Sequence, residues 1–531
     1  MILDKDLLSI QEARSLATKA KEAQLEYKHF SQQQVDKIVK AMAEAGYASS
    51  EKLARMACDD SGFGVYEDKI IKNQFSTKNV YESIKNLKTV GIVAEEANGK
   101  VLKIAEPMGV VCALVPSTNP TSTAMFKALI SLKSRNAIVA SPHPKTSKCT
   151  IEALKILSDA AEKAGAPKGL IQCMSEPTIE GTDALMHDKN ISVILATGST
   201  PMVKSAYSAG KPAYGVGPGN VPAFIERTAN YQKAVADIVY GTTFDNGTLC
   251  SSEQSMIVDL PLKEKVIEEA LAQGCYFVNA EEKEKLARAV QTNLRINPEI
   301  VGKPATYIAN YAGFEVPENT KVLMATCYEV GKSEPLSIEK LSPILSFYVV
   351  DGWLEGCHRC IDLLQFGGLG HTMVIHSNDE PIIMKFALEK PAFRILVNTV
   401  ASVGAVGYTT ALDPSMTLGP GTWGGSIVSD NVTAKHLLNI KSLAFETNPI
   451  NKGKSVDKFE TQKYKGGKDW FIKEIEERLR ERAGNPPIKD VYTYSENEKQ
   501  SEEKTEPAKP ITYGSGITEE EIKKIIKEFS S

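Results

Sequence analysis

The sequence predicts an α/β fold built around a doubly wound, largely parallel sheet. Short β-rich runs alternate with helical patterns from about residue 101 to residue 225, and a second alternating set follows from 255 to 398. The chain has 531 residues, of which 42% are hydrophobic and 24% are charged. That length is sufficient for two or three domains, and the composition is typical of a globular protein.

The individual elements follow from the hydrophobic pattern. The first hundred residues are mostly amphipathic and helical, with a break at the Gly-Phe-Gly sequence of residues 62–64. In the first alternating set, strands are predicted at 110–115, 137–140, 169–173 and 193–196, and helices at 121–132 and 150–164. In the second set, strands are predicted at 255–258, 344–350, 372–376 and 394–398, and a helix at 354–366.

Composition argues against several classes of protein. The net charge is −4 and no long basic stripe occurs, which disfavours general nucleic-acid binding. Asp4, Lys5 and Asp6 stand where a signal peptide needs an apolar core, and no apolar run approaches the roughly 18 residues of a membrane span. Nine cysteines without framework spacing fit a reducing cytosol. We therefore expect a cytoplasmic protein with neither a membrane nor a nucleic-acid partner.

Residues 357–360, Cys-His-Arg-Cys, are the one arrangement that imitates a metal site. No second Cys or His pair lies at zinc-finger distance, and the predicted helix around these residues would bury some of their side chains. The histidines are few and dispersed along the chain. We expect no bound metal.

Cys250 is the leading candidate for a nucleophile. It lies in the sequence F-D-N-G-T-L-C-S-S-E-Q of residues 244–254, on a short polar turn that a helix could follow. At a helix N-terminus, free backbone N–H groups and the positive end of the helix dipole favour the reactive thiolate. Most cysteines of intracellular proteins are small buried hydrophobic residues, so the neighbouring motifs must decide between the two interpretations.

Three further motifs accompany this cysteine. Residues 110–120, V-V-C-A-L-V-P-S-T-N-P, place Asn119 at the exit of a strand. Residues 193–200, V-I-L-A-T-G-S-T, form another strand and turn, and residues 214–222, Y-G-V-G-P-G-N-V-P, follow. In this order the motifs resemble the aldehyde dehydrogenase superfamily, specifically its coenzyme-A-acylating branch of acetaldehyde and propionaldehyde dehydrogenases. The resemblance covers roughly residues 30–445.

The resemblance implies the aldehyde dehydrogenase fold and a division into domains. A dinucleotide-binding domain is expected at 1–238, with 425–438 returning to it, and a catalytic domain at 239–424. Residues 439–484 would form an oligomerisation strand and a C-terminal extension, in a homodimer or homotetramer.

The same resemblance implies a binding site for NAD. No G-x-G-x-x-G follows a predicted strand, but the family uses a G-S-T turn instead, which Gly198, Ser199 and Thr200 match. Glu339, in E-K-L-S-P, matches the family element E-x-x-G-P, whose glutamate holds the nicotinamide ribose, although Ser342 replaces the glycine.

Three more positions are assigned to the cofactor. Ser141 and His143 occupy the place where many relatives carry a lysine that touches the adenosine ribose, and Gly217 is assigned to the cofactor as well. The missing lysine favours NAD over NADP, while Lys145 keeps the second cofactor open.

The chemistry implied is thioester formation. The Cys250 thiolate would attack an aldehyde, and the Asn119 amide with the backbone N–H of Cys250 would stabilise the oxyanion before hydride transfer to NAD. Hydrolytic relatives carry a water-activating glutamate in E-L-G-G-K, and the matching position here is Val216. A thiol with a pKa of about 8.5 needs less assistance than water at about 15.7, which favours coenzyme A as the acyl acceptor. The alternatives are a non-acylating aldehyde dehydrogenase and an inactive scaffold of the same fold.

Other positions are assigned to the coenzyme A or acyl pocket. The Gly-Pro-Gly turn that contains Gly219 would leave room for an incoming thiol chain, or is simply a tight turn. Two segments, F-G-G-L-G-H-T at 366–372 and L-G-P-G-T-W-G-G at 418–425, also resemble the acylating branch. They would place His371 at the mouth of the site, unless it is a structural histidine, and Thr422 in a loop that closes over the acyl pocket.

A change in composition marks the end of the chain. Residues 485–516 are rich in Pro, Glu, Lys and Ser and are expected to be a disordered linker. Residues 517–531 predict a short helix with a capping box and one apolar face, made by Thr518, Glu521, Ile522, Ile525, Ile526 and Phe529. This segment resembles the encapsulation peptides of bacterial microcompartments, which implies a shell or cargo protein as its partner. Docking on the enzyme's own surface is the alternative.

Overall fold

The computed structural model describes residues 4–292 and 295–451. Its helices are α1 Lys5–Tyr27, α2 Gln32–Ala48, α3 Ser50–Ser61, α4 Tyr66–Gln74, α5 Val80–Ile84, α6 Pro120–Lys133, α7 Ser147–Lys163, α8 Ile179–His187, α9 Thr200–Ser208, α10 Tyr231–Thr243, α11 Lys263–Ala272, α12 Ala280–Val290, α13 Ala305–Ala312, α14 Trp353–Phe366, α15 Glu380–Glu389 and α16 Ala401–Ala405. Its strands are β1 Gly91–Glu96, β2 Val101–Pro107, β3 Val110–Val115, β4 Ala137–Pro142, β5 Ile171–Cys173, β6 Ile191–Thr197, β7 Ala213–Val216, β8 Val221–Ile225, β9 Glu253–Asp259, β10 Cys275–Phe277, β11 Gln291–Thr292, β12 Arg295–Ile296, β13 Val322–Thr326, β14 Ile344–Val350, β15 Gly370–His376, β16 Ala392–Val397 and β17 Leu438–Ala444.

A five-stranded parallel sheet forms the first half of the fold. Its order is β5-β4-β3-β6-β7, and every pairing is parallel. All six residues of β3 are buried, as expected for a central strand whose two faces are both covered. Every residue of α6 is buried as well, so this helix lies inside the protein rather than on its surface.

A seven-stranded parallel sheet forms the second half, in the order β10-β13-β14-β9-β8-β15-β16. Along β8, Val221, Ala223 and Ile225 pack in one hydrophobic cluster, whereas Phe224 packs in another. Alternate side chains of a strand point to opposite faces of the sheet, so both faces of this sheet are covered. The predicted α/β fold with doubly wound parallel sheets is confirmed.

A small antiparallel sheet has the order β1-β2-β17, and β11 pairs with β12 in a separate two-stranded antiparallel sheet. Residues 439–444 of the edge strand β17 are exposed. The sequence analysis did not predict β1. This strand lies within the first hundred residues, which were expected to be mostly helical. Strands β3 and β14 coincide with the predicted ranges 110–115 and 344–350.

The domain division remains a prediction. Strand β8 lies in the range 1–238 that was assigned to the dinucleotide-binding domain, yet it pairs with β9 and β15 in the seven-stranded sheet. Residues 434–437 return to the region of the five-stranded sheet, where Ser134 Oγ donates to the Ala434 carbonyl at 2.7 Å. The predicted linker at 485–516, the helix at 517–531 and most of the extension at 439–484 lie outside the described residues.

Two further observations concern the described residues alone. No helix among them combines the length and the apolar character needed to cross a membrane. Within the same ranges, no group of three or more His, Cys, Asp or Glu side chains is arranged to hold a metal ion. Cys357 and Cys360 lie on α14 with buried side chains.

Candidate active site

A cavity of about 920 Å³ opens where strands of the five-stranded sheet end. Val115, Pro142, Thr197 and Val216, the last residues of β3, β4, β6 and β7, all line it. This is the edge at which parallel α/β sheets bind ligands. Ten of the residues predicted from sequence line this one cavity: Asn119, Ser141, His143, Gly198, Ser199, Thr200, Val216, Gly217, Cys250 and Glu339.

The segment that carries Cys250 differs from the predicted one. A turn holds Cys250, but strand β9 follows at Glu253, and no helix begins there. The expectation that a helix N-terminus favours the Cys250 thiolate is therefore wrong. The physical reason is the apolar run after the cysteine, which pairs between β8 and β14 in the middle of the sheet.

The thiol of Cys250 is held in its protonated form. Burial, the largest cause, and the nearby Glu339 carboxylate both raise the pKa of Cys250, the Arg394 guanidinium opposes them, and the resulting pKa is about 12. Glu339 is itself only 7% exposed. Burial raises the pKa of Glu339 to about 8, although the Gly219 backbone N–H donates to its Oε1 at 2.9 Å.

The turn before Cys250 has a left-handed backbone. Asp245, Asn246 and Gly247 have φ angles of 50°, 52° and 72°. Asp, Asn and Gly are the residues that adopt this conformation most readily, which explains the D-N-G sequence. The Asp245 carboxylate anchors the turn, because it accepts hydrogen bonds from the backbone N–H of Val65 at 2.6 Å and from Thr248 Oγ1 at 2.6 Å.

Asn119 lies at the start of α6. It is far from the Cys250 turn along the sequence, but it contacts that turn in the folded chain. Its Nδ2 donates to the Thr248 carbonyl at 3.2 Å and to Thr118 Oγ1 at 3.1 Å. Its Oδ1 accepts a hydrogen bond from Lys72 Nζ at 2.5 Å. The structure therefore brings the amide of Asn119 to a residue two positions before Cys250.

The predicted G-S-T turn connects β6 to α9. Ser199 occupies the N-cap position of α9 without a side-chain capping hydrogen bond, and Gly198, Ser199 and Thr200 line the cavity at this end of the helix. Free N–H groups and the positive end of a helix dipole suit a phosphate. This end of the cavity can therefore hold an anionic group.

The turn after β4 borders the same end of the cavity. Ser141 Oγ and Thr182 Oγ1 lie 2.7 Å apart and share a hydrogen bond. His143 is exposed and its Nδ1 accepts from the backbone N–H of Lys145 at 3.2 Å. Burial lowers the pKa of His143 below its ordinary value, and the Lys145 charge adds to this effect.

The glycines near Val216 have different surroundings. A Cβ atom on Gly217 would meet no atom within 4 Å, so this position borders open space. A Cβ atom on Gly219 would lie 2.1 Å from the Cys250 carbonyl oxygen and 3.1 Å from the His371 ring. Gly219 is thus a point of close approach behind Cys250 and does not line the cavity.

Two other predicted pocket residues are also absent from the cavity wall. His371 was expected at the mouth of the site, but it lies on β15 and is 1% exposed, so that expectation is corrected. Burial lowers the pKa of His371 to about 3, which keeps the ring neutral. Thr422 is exposed beside Trp423, which stacks on Phe393 at 4.6 Å between ring centroids. Neither residue borders the cavity.

Similarity to known proteins identifies the family of this chain. The model of the family described as "Aldehyde dehydrogenase family" matches residues 6–285. The chain belongs to the aldehyde dehydrogenase family. The resemblance inferred from the motifs is confirmed.

Three relatives of this family member are informative. The bifunctional aldehyde-alcohol dehydrogenase of Escherichia coli is 44% identical over 441 residues, which are 82% of this chain and 50% of that protein. This chain therefore spans about half the length of that curated relative. An acetylating aldehyde dehydrogenase structure from Geobacillus thermoglucosidasius is 51% identical, covers 85% of this chain and 100% of its own, and has a TM-score of 0.84.

The third relative comes from a microcompartment. It is the structure of a propionaldehyde dehydrogenase from the fucose utilisation bacterial microcompartment of Clostridium phytofermentans. Its sequence is 28% identical, the match covers 81% of this chain and 96% of that chain, and the TM-score is 0.73.

Sequence reasoning missed several residues around the site of this aldehyde dehydrogenase. Asp245 belongs to the motif at residues 244–254, but nothing in the sequence indicated a role for it. Its cationic partners, Lys69 and Lys72, lie more than 170 residues away on α4. Two lysines spaced by three on an amphipathic helix are ordinarily solvated, so their spacing carried no signal of burial. Thr182 was also missed, because only the fold brings α8 to Ser141.

Proposed function

We propose that this chain catalyses the NAD-dependent oxidation of a short-chain aldehyde to its acyl-CoA, through a thioester on Cys250. The observation that carries the proposal is the cavity wall shared by Cys250, Asn119 and Val216. It combines a thiol and an amide donor with an apolar side chain at the position where hydrolytic relatives carry a glutamate. The acetylating activity in the name of the Geobacillus relative supports the same reaction.

Thiol activation is the first requirement. With a pKa of about 12, Cys250 is protonated at neutral pH and must lose its proton as it attacks the carbonyl carbon. Glu339 lines the same cavity, and its pKa of about 8 allows it to exchange a proton near neutrality.

Attack gives a tetrahedral thiohemiacetal on Cys250. Its oxyanion needs donors, which the Asn119 Nδ2 and the Cys250 backbone N–H supply. NAD, when bound, accepts the hydride from this carbon. The N-terminus of α9 and the Ser141 and Thr182 hydroxyls would donate to the phosphate and hydroxyl groups of such a dinucleotide, and the Glu339 carboxylate would accept from its ribose hydroxyls.

The fate of the thioester determines the product. Val216 is 2% exposed and cannot activate water. Coenzyme A carries a thiol with a pKa near about 8.5, so it needs far less assistance than water to accept the acyl group. Gly217 lines the cavity, and a Cβ atom there would meet no atom within 4 Å, so the wall is open at this position. The acyl group therefore leaves as acyl-CoA.

One assay tests the proposal against its alternatives. Propionaldehyde and NAD are supplied with and without coenzyme A, and NADH formation is recorded. We expect repeated turnovers of NADH formation only with coenzyme A, because without it each active site forms one thioester and one NADH and then stops. We expect Cys250→Ala to lose about 10⁶-fold in rate, as nucleophile deletions do. Cys58→Ala, at a cysteine outside the cavity, is the matched control. Continuous NADH formation without coenzyme A would indicate a hydrolytic enzyme, and no NADH under any condition an inactive scaffold.

We also propose that residues 517–531 direct the enzyme into a bacterial microcompartment, within the cytoplasm. The apolar face that contains Ile525 and Ile526 supports this role, as does the microcompartment origin of the Clostridium relative. A fluorescent protein fused to residues 516–531 should enter microcompartments of the host. The double substitution Ile525→Glu and Ile526→Glu should release it. A diffuse fusion where shells are assembled would instead favour docking on the enzyme itself.

A homodimer or homotetramer is the assembly we propose. Strand β17 supports it, because it is the exposed edge of the three-stranded sheet and unpaired strand edges readily accept a second chain. Light scattering with size-exclusion chromatography measures the mass directly. A monomer at micromolar concentration would contradict the assembly.

A further inference from the structure

Asn119 does not hold its orientation alone, because its carboxamide lies between a buried cation and the turn of Cys250. We propose that Lys72 is a positioning residue, which fixes the Asn119 amide so that its Nδ2–H group is available to the oxyanion formed on the reacting carbon. Lys72 does not line the cavity and touches no substrate. The inference rests on the proposed function for its kinetic consequence, but the orientation itself is a property of the folded chain.

The contacts at the two ends of the amide allow only one orientation. Lys72 Nζ lies 2.5 Å from Oδ1, and an ammonium group can donate hydrogen bonds but cannot accept them. At the other end, Nδ2 faces the Thr248 carbonyl at 3.2 Å, and a carbonyl can only accept. Rotating the amide by half a turn would set donor against donor and acceptor against acceptor. Lys72 therefore determines which atom of Asn119 faces the cavity.

The same arrangement leaves an N–H group for the substrate. The second contact of Nδ2 is Thr118 Oγ1 at 3.1 Å, and Thr118 lines the cavity. A hydroxyl group can rotate to another partner, so an incoming oxyanion can replace it at little cost. In unliganded enzymes such catalytic hydrogen bonds are often long and shorten only when the substrate binds.

Lys72 is itself rigidly placed. It is 4% exposed, and its ammonium group forms a short ion pair with Asp245 Oδ2. Lys69 reaches the same oxygen at 2.9 Å and is 2% exposed. Asp68 Oδ2 accepts from the Asp245 backbone N–H at 2.7 Å, so two lysines face two carboxylates. Burial lowers the pKa of Lys72 to about 8 while Asp245 opposes the shift, so the ammonium group remains mostly charged at neutral pH.

The positive charge has a second effect on Asn119. A charge-assisted hydrogen bond to Oδ1 draws electron density from the amide and makes its N–H groups stronger donors. Removing the charge would thus weaken oxyanion stabilisation even if the amide kept its place. Lys69 cannot do this, because its contact in this region is the Thr118 backbone carbonyl at 3.4 Å rather than the Asn119 side chain.

This difference between two lysines supplies the test. Lys72→Met and Lys69→Met each remove one buried cation from Asp245 and leave the other, so their effects on folding should be alike. Removal of a whole oxyanion donor costs about 10²–10³-fold in rate, so loss of its positioning residue should cost about 10–10²-fold in the first turnover of NADH formation. We expect this for Lys72→Met, with the KM for NAD unchanged. Lys69→Met should lose much less rate than Lys72→Met, because it leaves the contact with Asn119 Oδ1 in place.

A double-mutant cycle separates positioning from general damage. If Lys72 acts through Asn119, Lys72→Met combined with Asn119→Ala should be no slower than Asn119→Ala alone. Additive losses, or equal losses in Lys69→Met and Lys72→Met, would overturn the inference.

A neutron crystal structure, which distinguishes the amide nitrogen from the oxygen, gives a readout that does not need activity. In the parent enzyme Nδ2 should face Thr248, and in Lys72→Met the amide should be rotated or disordered. An unchanged, well-ordered amide in Lys72→Met would overturn the positioning role. If the parent made no NADH, the proposed function would fail, while the orientation of Asn119 could still be read from the crystal.

Discussion

The backbone of Gly219 lies directly behind Cys250, so closely that a Cβ atom at position 219 would be 2.1 Å from the Cys250 carbonyl oxygen. The Gly219 backbone N–H also donates to Glu339 at 2.9 Å. One glycine thus links the nucleophile to the acidic residue that raises the pKa of its thiol. A side chain at position 219 would have to displace either Cys250 or Glu339.

We predict that Gly219→Ala displaces the Cys250 turn, because a methyl group cannot fit against a carbonyl oxygen at that distance. The NADH-forming rate should fall at least about tenfold, since misplacement by about 1 Å can cost 10²-fold. Gly217→Ala is the matched control for folding, since a Cβ atom there meets nothing within 4 Å. Thermal unfolding should show a lower midpoint for Gly219→Ala alone. Equal midpoints and a normal rate would contradict the close approach.

Asn119→Ala should retain NAD binding and lose about 10²–10³-fold in kcat, as expected when an oxyanion donor is removed. Asn119→Asp serves as a second variant, because it keeps the shape but replaces the donor by an anion. It should be at least as slow. NAD affinity is measured by fluorescence titration and the rate by NADH formation. If either variant worked at the parent rate, Asn119 would be only the residue that begins α6.

Val216→Glu should create hydrolysis that does not depend on coenzyme A, because it restores a carboxylate where water activation needs one. General bases contribute about 10²–10⁴-fold, so an unoptimised one should give a rise of about tenfold or more. Val216→Gln has nearly the same shape but no basic oxygen, and it should hydrolyse no faster than the parent. A folded Val216→Glu enzyme without added hydrolysis would mean that the shape of the cavity excludes water.

Glu339→Gln should make the Cys250 thiol easier to ionise. In the parent, Glu339 loses its proton near pH 8 and its negative charge then opposes ionisation of Cys250, whose pKa is about 12. The amide carries no charge, so the pKa of Cys250 should fall, although burial, the larger cause, remains. Alkylation by iodoacetamide, followed across alkaline pH in both proteins, measures the shift. A midpoint that stays or rises in the variant would show that the two groups do not interact.

The elements near the site show which parts of the fold can be predicted from local sequence patterns. The apolar run of β3 and the helix pattern of α6 were both predictable, because hydrophobic periodicity and a Pro-containing turn are local signals. The motifs around Cys250, Asn119, Gly198 and Glu339 also identified one cavity in advance. The prediction of a helix after Cys250 was wrong. The short turn suited a helix, and only the pairing of β9 between β8 and β14 made this segment a strand.

The sequence by itself determined the fold class, the family and the chemical groups of the site, since these depend on residue type and on spacing along the chain. Only the tertiary structure decided how those groups are supported. The bond from Lys72 to Asn119 joins residues 47 apart, and that from Lys72 to Asp245 joins residues 173 apart. The burial of His371 and the raised pKa of Cys250 likewise come from neighbours on other elements. Contacts across such separations exist only after the chain has folded, because packing and loss of solvent create them.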